Sequence, residues 1–392
     1  MKRFYSYIIL ALALLISSCD DRIDETVESA YLEPIVYPYQ YKFSRNGSSS
    51  IDVLKKDMIN TPIDYIYGSY LKQARILSEY EHDVVMGYYQ KETEGGIILE
   101  DEVASSPIHE RHRQQIKADI LSIIEASEFI SGYPKGNSKR RQSAILGSAG
   151  YIGNNILDLN LAYVDEKGLV VAEAFRKMLL GAIHLDKIMN LHLDESILTD
   201  KELRKAHENV ELVAGKNYTA LEHHWDLAFG YYSNWKAYAQ PEGLIALKDS
   251  DKKLLDAFVL GRHELGRYQY DEVQKHLEII REELSKVVAI RTINLLIGQN
   301  TIANIREDAA YSFLYLSEAY GLIYALQFTR NSGGDPYMSY EEVKEMQEKL
   351  LQDDGLWDVE RLLEDENVEG SLKNISKEIA TIYNISLDNV KR

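Results

Sequence analysis

The sequence contains a single cysteine among its 392 residues, Cys19. The folded part of the chain can therefore form neither an internal disulfide nor a thiolate metal cluster. The chain also lacks a Walker loop and the GxGxxG, GxSxG and HExxH motifs. The common signatures of phosphate-binding loops, dinucleotide-binding folds, serine hydrolases and zinc peptidases are thus excluded, and the function has to be sought in other patterns.

Proline and basic residues are also scarce. Only 7 prolines and 23 glycines interrupt the chain, which leaves room for long helices. Lys and Arg number 44 against 62 Asp and Glu, a net charge of -18. This acidic balance argues against binding to nucleic acid or, by charge, to anionic lipid. Tyrosine is abundant, with 28 residues against 8 phenylalanines, which predicts an interior with polar content or a lined cleft.

The first nineteen residues have the pattern of a bacterial lipoprotein leader. Lys2 and Arg3 precede an apolar run from Ile8 to Ile16, which is well short of the roughly 20 residues that span a bilayer as a helix. The run closes on Ser17-Ser18-Cys19, which resembles a lipobox. We therefore predict a signal peptide over residues 1–18, a lipid on Cys19 and a flexible tether over 19–38; the alternative is a retained signal anchor.

Hydrophobic periodicity predicts an all-α multi-helix bundle preceded by a small β-hairpin. The hairpin follows from alternating residues 39–43 and 50–53 on either side of Asn46-Gly47. One domain over 39–392 is expected, with a division into two packed bundles, about 39–195 and 196–392, left open. Cap patterns are expected at Ser106-Pro107, at Thr199 with Glu202 and at Ser339 with Glu342. The predicted helices are 55–90, 107–131, 141–162, 168–193, 199–211, 217–237, 250–266, 269–297, 301–329, 339–352, 356–365 and 371–384.

One helical segment lacks a polar face. Between Ala309 and Thr329 the only formal charge is Glu318. Such a helix either crosses a membrane or forms the centre of a large soluble bundle. The many tyrosine, serine and glutamine side chains of this segment are too polar for a surface facing lipid, so we predict a central helix.

The densest group of chemically active side chains lies within Leu221–Asp226. On a helix, Glu222, His223 and Asp226 share one shoulder of the apolar stripe, whereas His224 points to the other side. His223 and Asp226 together offer an imidazole nitrogen and a carboxylate oxygen to iron or another divalent metal. In the alternative interpretation the carboxylates pair with arginines and His223 has a structural role.

A second group is Arg262, His263 and Glu264. Arg262 projects from the middle of an apolar helix face, and a buried arginine requires an anion. We therefore predict a buried polar network that joins Arg262 to one or more of Glu222, Asp226 and Glu318.

The residues around these groups resemble the DUF4856 family of Bacteroidetes lipoproteins. The resemblance is carried by four runs, Arg45–Ser50, Lys167–Leu169, Gly215–Tyr231 and Leu316–Arg330. The family in turn is similar to imelysin-like proteins, all-helical envelope proteins associated with iron uptake, whose GxHxxE motif is proposed to bind metal. His223 and Asp226 are the nearest counterpart here, with Asp in place of Glu and Leu221 in place of the glycine.

Three functions remain open. The first is a non-enzymatic, lipid-anchored envelope protein that helps to acquire iron, haem or another metal, with His223, Asp226 and Glu222 nearest the ligand. The second is a metal-dependent, peptidase-like hydrolase. The third is a structural lipoprotein partner of an outer-membrane transporter, for example a TonB-dependent system. The resemblance favours the outer membrane over the inner membrane as the site of the anchor and leaves open which side the protein faces.

Overall fold

The computed structural model describes residues 35–72, 82–93, 95–131, 142–153 and 162–390. The predicted signal peptide, Cys19 and most of the predicted tether lie outside the described residues. The α-helices are α1 Leu54–Asp64, α2 His82–Gln90, α3 Leu99–Glu102, α4 Arg113–Ser131, α5 Val171–Leu179, α6 Glu195–Thr199, α7 Lys201–Glu208, α8 Ala220–Tyr232, α9 Lys236–Ala239, α10 Ser250–Gly266, α11 Tyr270–Ile297, α12 Gln299–Asn304, α13 Ala309–Ala325, α14 Tyr340–Leu351, α15 Val359–Leu363 and α16 Leu372–Ile382.

The described residues also contain shorter helical segments. Three are π-helical, Tyr65–Leu71, Leu180–Leu185 and Lys187–His192. Five are 3₁₀ turns, Pro107–His109, Ile245–Leu247, Leu326–Phe328, Gly355–Trp357 and Leu387–Asn389. The fold is all-α, as predicted; the division into two bundles stays a prediction.

The N-terminal hairpin is confirmed. Strands β1 Ser44–Arg45 and β2 Ser48–Ser49 pair antiparallel, with Arg45 opposite Ser48. Asn46 and Gly47 have φ values of 53° and 74°, the left-handed conformation that a tight hairpin turn requires. The ladder is shorter than predicted and lies next to the turn. The preceding residues Ile35–Pro38 lie beside α10, where they line one small cavity together with Val259 and His263.

The predicted helix 141–162 is wrong where the structure describes it. Strands β3 Gly150–Ile152 and β4 Ala162–Val164 form a second antiparallel pair that the sequence analysis did not predict. Gly147 and Gly153 have φ values of 72° and 131°, which a continuous α-helix cannot accommodate. A Cβ at Gly150 would lie 2.3 Å from the carbonyl oxygen of Gln142, so the chain passes too closely for any side chain.

Two predicted caps had different outcomes. Ser339 and Glu342 form a capping box at the start of α14, as predicted. The box predicted for Thr199 and Glu202 is wrong. Asp200 caps α7 by accepting the N–H groups of Glu202 and Leu203, whereas the Thr199 hydroxyl donates to the carbonyl of Glu195. A carboxylate at the N-cap position is a stronger acceptor than the threonine hydroxyl beside it.

Helix α13 is the central helix, as predicted. It packs against α5, α11 and α14, and its side chains Phe313, Leu316, Leu322 and Ile323 are fully buried. Within the described ranges, no helix is both long and apolar enough to cross a membrane. Helices α10 and α11 form an antiparallel hairpin beside it, and α8 packs on α10 and on the π segment Lys187–His192. This arrangement brings the predicted site residues of α8 and α10 together.

Candidate functional site

Helix α8 carries the first group of predicted site residues. A capping box starts it, because Glu222 Oε2 accepts the N–H of Thr219 at 2.8 Å and the Thr219 hydroxyl accepts the N–H of Glu222 at 3.3 Å. Trp225 is buried and donates its Nε1–H to the carbonyl of Phe258 in α10. A Cβ at Gly261 would lie 2.2 Å from the Trp225 ring, so this glycine permits the close packing of α8 on α10.

Four buried charges meet between α8, α10 and the hairpin. Arg45 Nη2 lies 2.9 Å from both carboxylate oxygens of Glu222, and Arg262 Nη2 lies 3.0 Å from Glu222 Oε1. Arg262 Nε donates to Asp226 Oδ1 at 2.9 Å, and the hydroxyl of Tyr41 donates to the same oxygen at 2.6 Å. Two positive and two negative side chains thus neutralise one another. We call Tyr41, Arg45, Glu222, Asp226 and Arg262 the hairpin network.

The pKa values of this network follow from its geometry. Burial alone would raise the pKa of Glu222, but Arg262, the N–H of Thr219 and Arg45 together lower it to about 2. Burial raises the pKa of Asp226 despite the opposing effects of Arg262 and Tyr41. The pKa of Arg262 is raised, because the attraction of Asp226 and Glu222 outweighs its burial. The network is therefore held together mainly by ionic attraction inside the protein.

Three other residues predicted for the network lie elsewhere. Glu318 pairs with Lys177 of α5, at 2.8 Å between Nζ and Oε2, because this face of α13 is turned toward α5. His263 is half-buried and lines the small cavity beside the N-terminal segment. Glu264 lies near the surface, 4.0 Å from Arg267. The network is completed by Arg45 of the hairpin and by Tyr41 of the segment before it, neither of which was predicted as a partner.

The donor set of Glu222, His223 and Asp226 does not fit a metal ion. Both carboxylates are already paired with guanidinium groups, so a cation there would face Arg45 and Arg262. The ring of His223 stacks on Tyr218, with ring centroids 4.4 Å apart. Among the described residues, no group of three or more His, Cys, Asp and Glu side chains is placed to hold a metal. The alternative interpretation of these residues, a structural one, matches their geometry.

His224 points to the opposite side of α8, as expected, and meets a second histidine there. Its Nδ1 lies 3.1 Å from Nδ1 of His192, and the His192 ring stacks on Tyr231. Burial lowers the pKa of both histidines. His224 lowers the pKa of His192 further, and His223 does the same to the pKa of His224. Burial likewise lowers the pKa of nearby His184 to about 3. These imidazoles are therefore neutral at neutral pH.

One cavity has a volume of about 740 Å³ and a mostly polar lining. Arg176, Gln299 and Asn300 are exposed, so the cavity reaches the surface. On one wall Lys177 Nζ donates to the Tyr238 hydroxyl at 2.7 Å and pairs with Glu318. The full lining is Arg176, Asn234, Ala237, Tyr238, Glu242, Leu244, Arg291, Asn294, Leu295, Gly298, Gln299, Asn300, Thr301, Tyr315 and Glu318. We call this the polar cavity.

Fold and site define an all-α protein with a buried ionic network and a separate polar cavity. The family model of DUF4856, described as a domain of unknown function, matches residues 38–386. The chain therefore belongs to the DUF4856 family. Searches of curated proteins and of solved structures gave no match.

Proposed function

We propose that the protein is a non-enzymatic binding protein, held in the cell envelope by a lipid on Cys19, and that the polar cavity is its ligand site. The observation that carries the proposal is the cavity itself, which is of ligand size and reaches the surface. The lipobox-like sequence and the resemblance to Bacteroidetes lipoproteins support the anchor. The outer membrane is the proposed location, and a TonB-dependent transporter is the proposed partner.

The lining of the polar cavity indicates the class of ligand. Asn234, Asn294, Gln299 and Asn300 carry amides, which both donate and accept hydrogen bonds, and Tyr315 adds a phenolic hydroxyl. A polar small molecule with several hydrogen-bonding groups fits this lining better than the mostly apolar haem ring does. A role in metal acquisition, which the resemblance to imelysin-like proteins suggests, would then involve a polar chelate such as ferric citrate instead of a bare cation.

Ligand binding can be tested by thermal unfolding of the purified protein with ferric citrate, ferrous iron, haemin, a tripeptide and a disaccharide. We expect a polar compound to raise the Tm, and ferrous iron not to. Asn300→Trp places a large side chain in the polar cavity and should abolish the rise. Asn367→Trp, at an exposed position outside the cavity lining, is the matched control and should keep it. A rise that persists in Asn300→Trp would place binding elsewhere.

The anchor can be tested separately. In cells fed a labelled fatty acid, the wild-type protein should incorporate the label and sediment with membranes. Cys19→Ala should lose both properties, because it removes the only thiol in the chain. Label retained by Cys19→Ala would refute the lipid anchor and leave the cavity proposal intact.

A further inference from the structure

A second pair of buried arginines, Arg281 and Arg330, lies outside the hairpin network. Arg281 is in α11 and Arg330 follows the 3₁₀ turn Leu326–Phe328; the side chains are 2% and 3% exposed. In the part of the chain that the structure describes, no carboxylate lies within the 4.0 Å ion-pair distance of either guanidinium. The two positive charges are therefore not paired as Arg45 and Arg262 are.

The hydrogen bonds of these two side chains are also incomplete. Arg281 Nη2 donates to the carbonyl of Leu193 at 3.1 Å, but its Nε and Nη1 are buried without an acceptor. Arg330 Nη1 donates a long hydrogen bond, 3.5 Å, to the carbonyl of Thr329. Two guanidinium nitrogens of Arg281, Nε and Nη1, thus remain available as donors inside the protein.

Two of the acidic side chains that attract these arginines, Asp186 and Asp194, are engaged with other groups. Asp186 is fully buried and accepts the N–H and the hydroxyl of Ser106 and the amide of Asn190. Asp194 caps α6 by accepting the N–H of Ser196. These carboxylates act on the arginines only from beyond ion-pair distance. They do not supply the bidentate contact that a guanidinium makes with a carboxylate or phosphate.

The backbone holds the two arginines side by side beneath a turn. The hydroxyl of Ser285, one helical turn after Arg281, accepts the N–H of Arg330 at 3.0 Å and donates to its carbonyl at 2.8 Å. The turn Asn331–Asp335 lies over Arg281, and a Cβ at Gly334 would be 3.1 Å from Arg281 Nη1. Gly334 has a φ of +92°, which favours glycine at this close approach.

The electrostatics of this pair are opposite to those of the hairpin network. Burial, together with repulsion from Arg281 and against the attraction of Asp186, lowers the pKa of Arg330 to about 10. Burial lowers the pKa of Arg281 as well. Since an unpaired buried charge is strongly unfavourable, an anion between the two side chains would relieve both penalties.

We propose that Arg281 and Arg330 form a binding site for a small oxyanion, phosphate or carboxylate, beneath the turn Asn331–Asp335. The guanidinium fork matches the planar spacing of oxygen atoms in either group. The depth of the two side chains favours a small anion over a surface of another macromolecule. This site shares no residue with the polar cavity, so it does not depend on the proposed function.

The test is a titration of the purified full-length protein with sodium phosphate, sodium acetate and sodium chloride at constant ionic strength, followed by Tm and by calorimetry. We expect phosphate or acetate to raise the Tm and to release or absorb heat, with chloride inactive. The stronger of the two arms identifies a phosphate or a carboxylate ligand. Arg281→Met and Arg330→Met should each abolish the response. Arg281→Lys keeps the charge but loses the fork, and should weaken binding by about tenfold or more.

The matched control is Arg267→Met, which removes a half-exposed arginine of the same chain. It should respond to the anions as the wild-type protein does. The proposal is overturned if neither phosphate nor acetate exceeds chloride in the wild-type protein, or if both methionine variants keep the response. The lysine variant decides the matter even if a methionine variant fails to fold.

Discussion

The protein contains two pairs of buried arginines that differ in their partners. Arg45 and Arg262 meet the carboxylates of Glu222 and Asp226, so their charges cancel within the chain. Arg281 and Arg330 are equally buried, but the described residues offer them only backbone carbonyls as direct contacts. The pKa of Arg262 is raised, whereas that of Arg330 is lowered to about 10.

This difference shows that burial alone does not assign a role to an arginine. In the hairpin network the protein supplies its own anions, and the result is attachment of the N-terminal hairpin to α8 and α10. Removing one partner there leaves an uncompensated charge. At Arg281 and Arg330 the described residues supply no ion pair, and in our proposal a bound anion supplies the compensating charge. The same substitution should therefore have different effects at the two places.

The largest effect is expected for Arg262→Met. The variant leaves Glu222 and Asp226 buried with one guanidinium instead of two, and should lower the free energy of unfolding by about 3–5 kcal/mol. Urea denaturation at pH 7 measures the change. Arg267→Met, at the half-exposed residue that follows α10, should change the free energy of unfolding by no more than about 0.5 kcal/mol. A loss below 1 kcal/mol in Arg262→Met would show that the network contributes little.

The free energy of unfolding should depend on pH through the ionisation of Glu222. Its pKa is lowered from 4.5 to about 2 in the folded protein, so its contribution is fully present above pH 4.5 and is lost as the pH falls toward 2. The shift corresponds to about 3 kcal/mol. Urea denaturation at pH 5, 4 and 3 measures it.

Glu222→Gln is the control for this pH dependence, because Asp226, whose pKa is raised, contributes in the opposite direction. The variant should be less stable than the wild-type protein at pH 5, and the gap should narrow toward pH 3. A constant gap would contradict the assignment to Glu222.

A smaller effect is expected for Tyr41→Phe. The variant removes one hydrogen bond to the buried carboxylate of Asp226 and should lower the free energy of unfolding by about 2 kcal/mol. The ring keeps its stacking on Phe229, so packing is conserved. Tyr39→Phe, two residues earlier, is the matched control and should have little effect. Equal losses in both variants would argue against a specific bond to Asp226.

The smallest effect is expected for Arg281→Met in buffer without phosphate or carboxylate. Because this variant removes a charge that lacks an ion pair, the free energy of unfolding should change by about 1 kcal/mol or less. The measurement is the same urea denaturation as for Arg262→Met. A loss as large as that of Arg262→Met would mean that Arg281 is already well compensated, and the contrast between the two pairs would disappear.

Sequence patterns predicted much of the local structure correctly. The Asn46-Gly47 turn, the capping box of Ser339 and Glu342 and the bounds of α10 follow from short-range backbone preferences and hydrogen bonds. The central helix followed from its apolar composition. The helix predicted over 141–162 from hydrophobic spacing is wrong, because the glycines at 147, 150 and 153 adopt turn and extended conformations there.

The candidate site was predictable only in part. Helical geometry placed Glu222 and Asp226 on one shoulder of α8, and the need for an anion linked them to Arg262. It could not show that Arg45 and Tyr41, 177 and 185 residues away from their partners, complete the network. It also offered Glu318 as a partner of Arg262, whereas Glu318 pairs with Lys177, since the face of α13 that meets α5 depends on how the bundle packs.

Composition and short-range pattern by themselves determined the helical class, the hairpin, the lone thiol at Cys19 and the need of Arg262 for an anion. Only the tertiary structure decided which charges meet, because ion pairing acts over a few ångströms between residues that are distant in the chain. It gave carboxylate partners to Arg45 and Arg262, whereas Arg281 and Arg330 have no ion pair with the residues that the structure describes. This difference between paired and unpaired buried arginines has no local signature in the sequence.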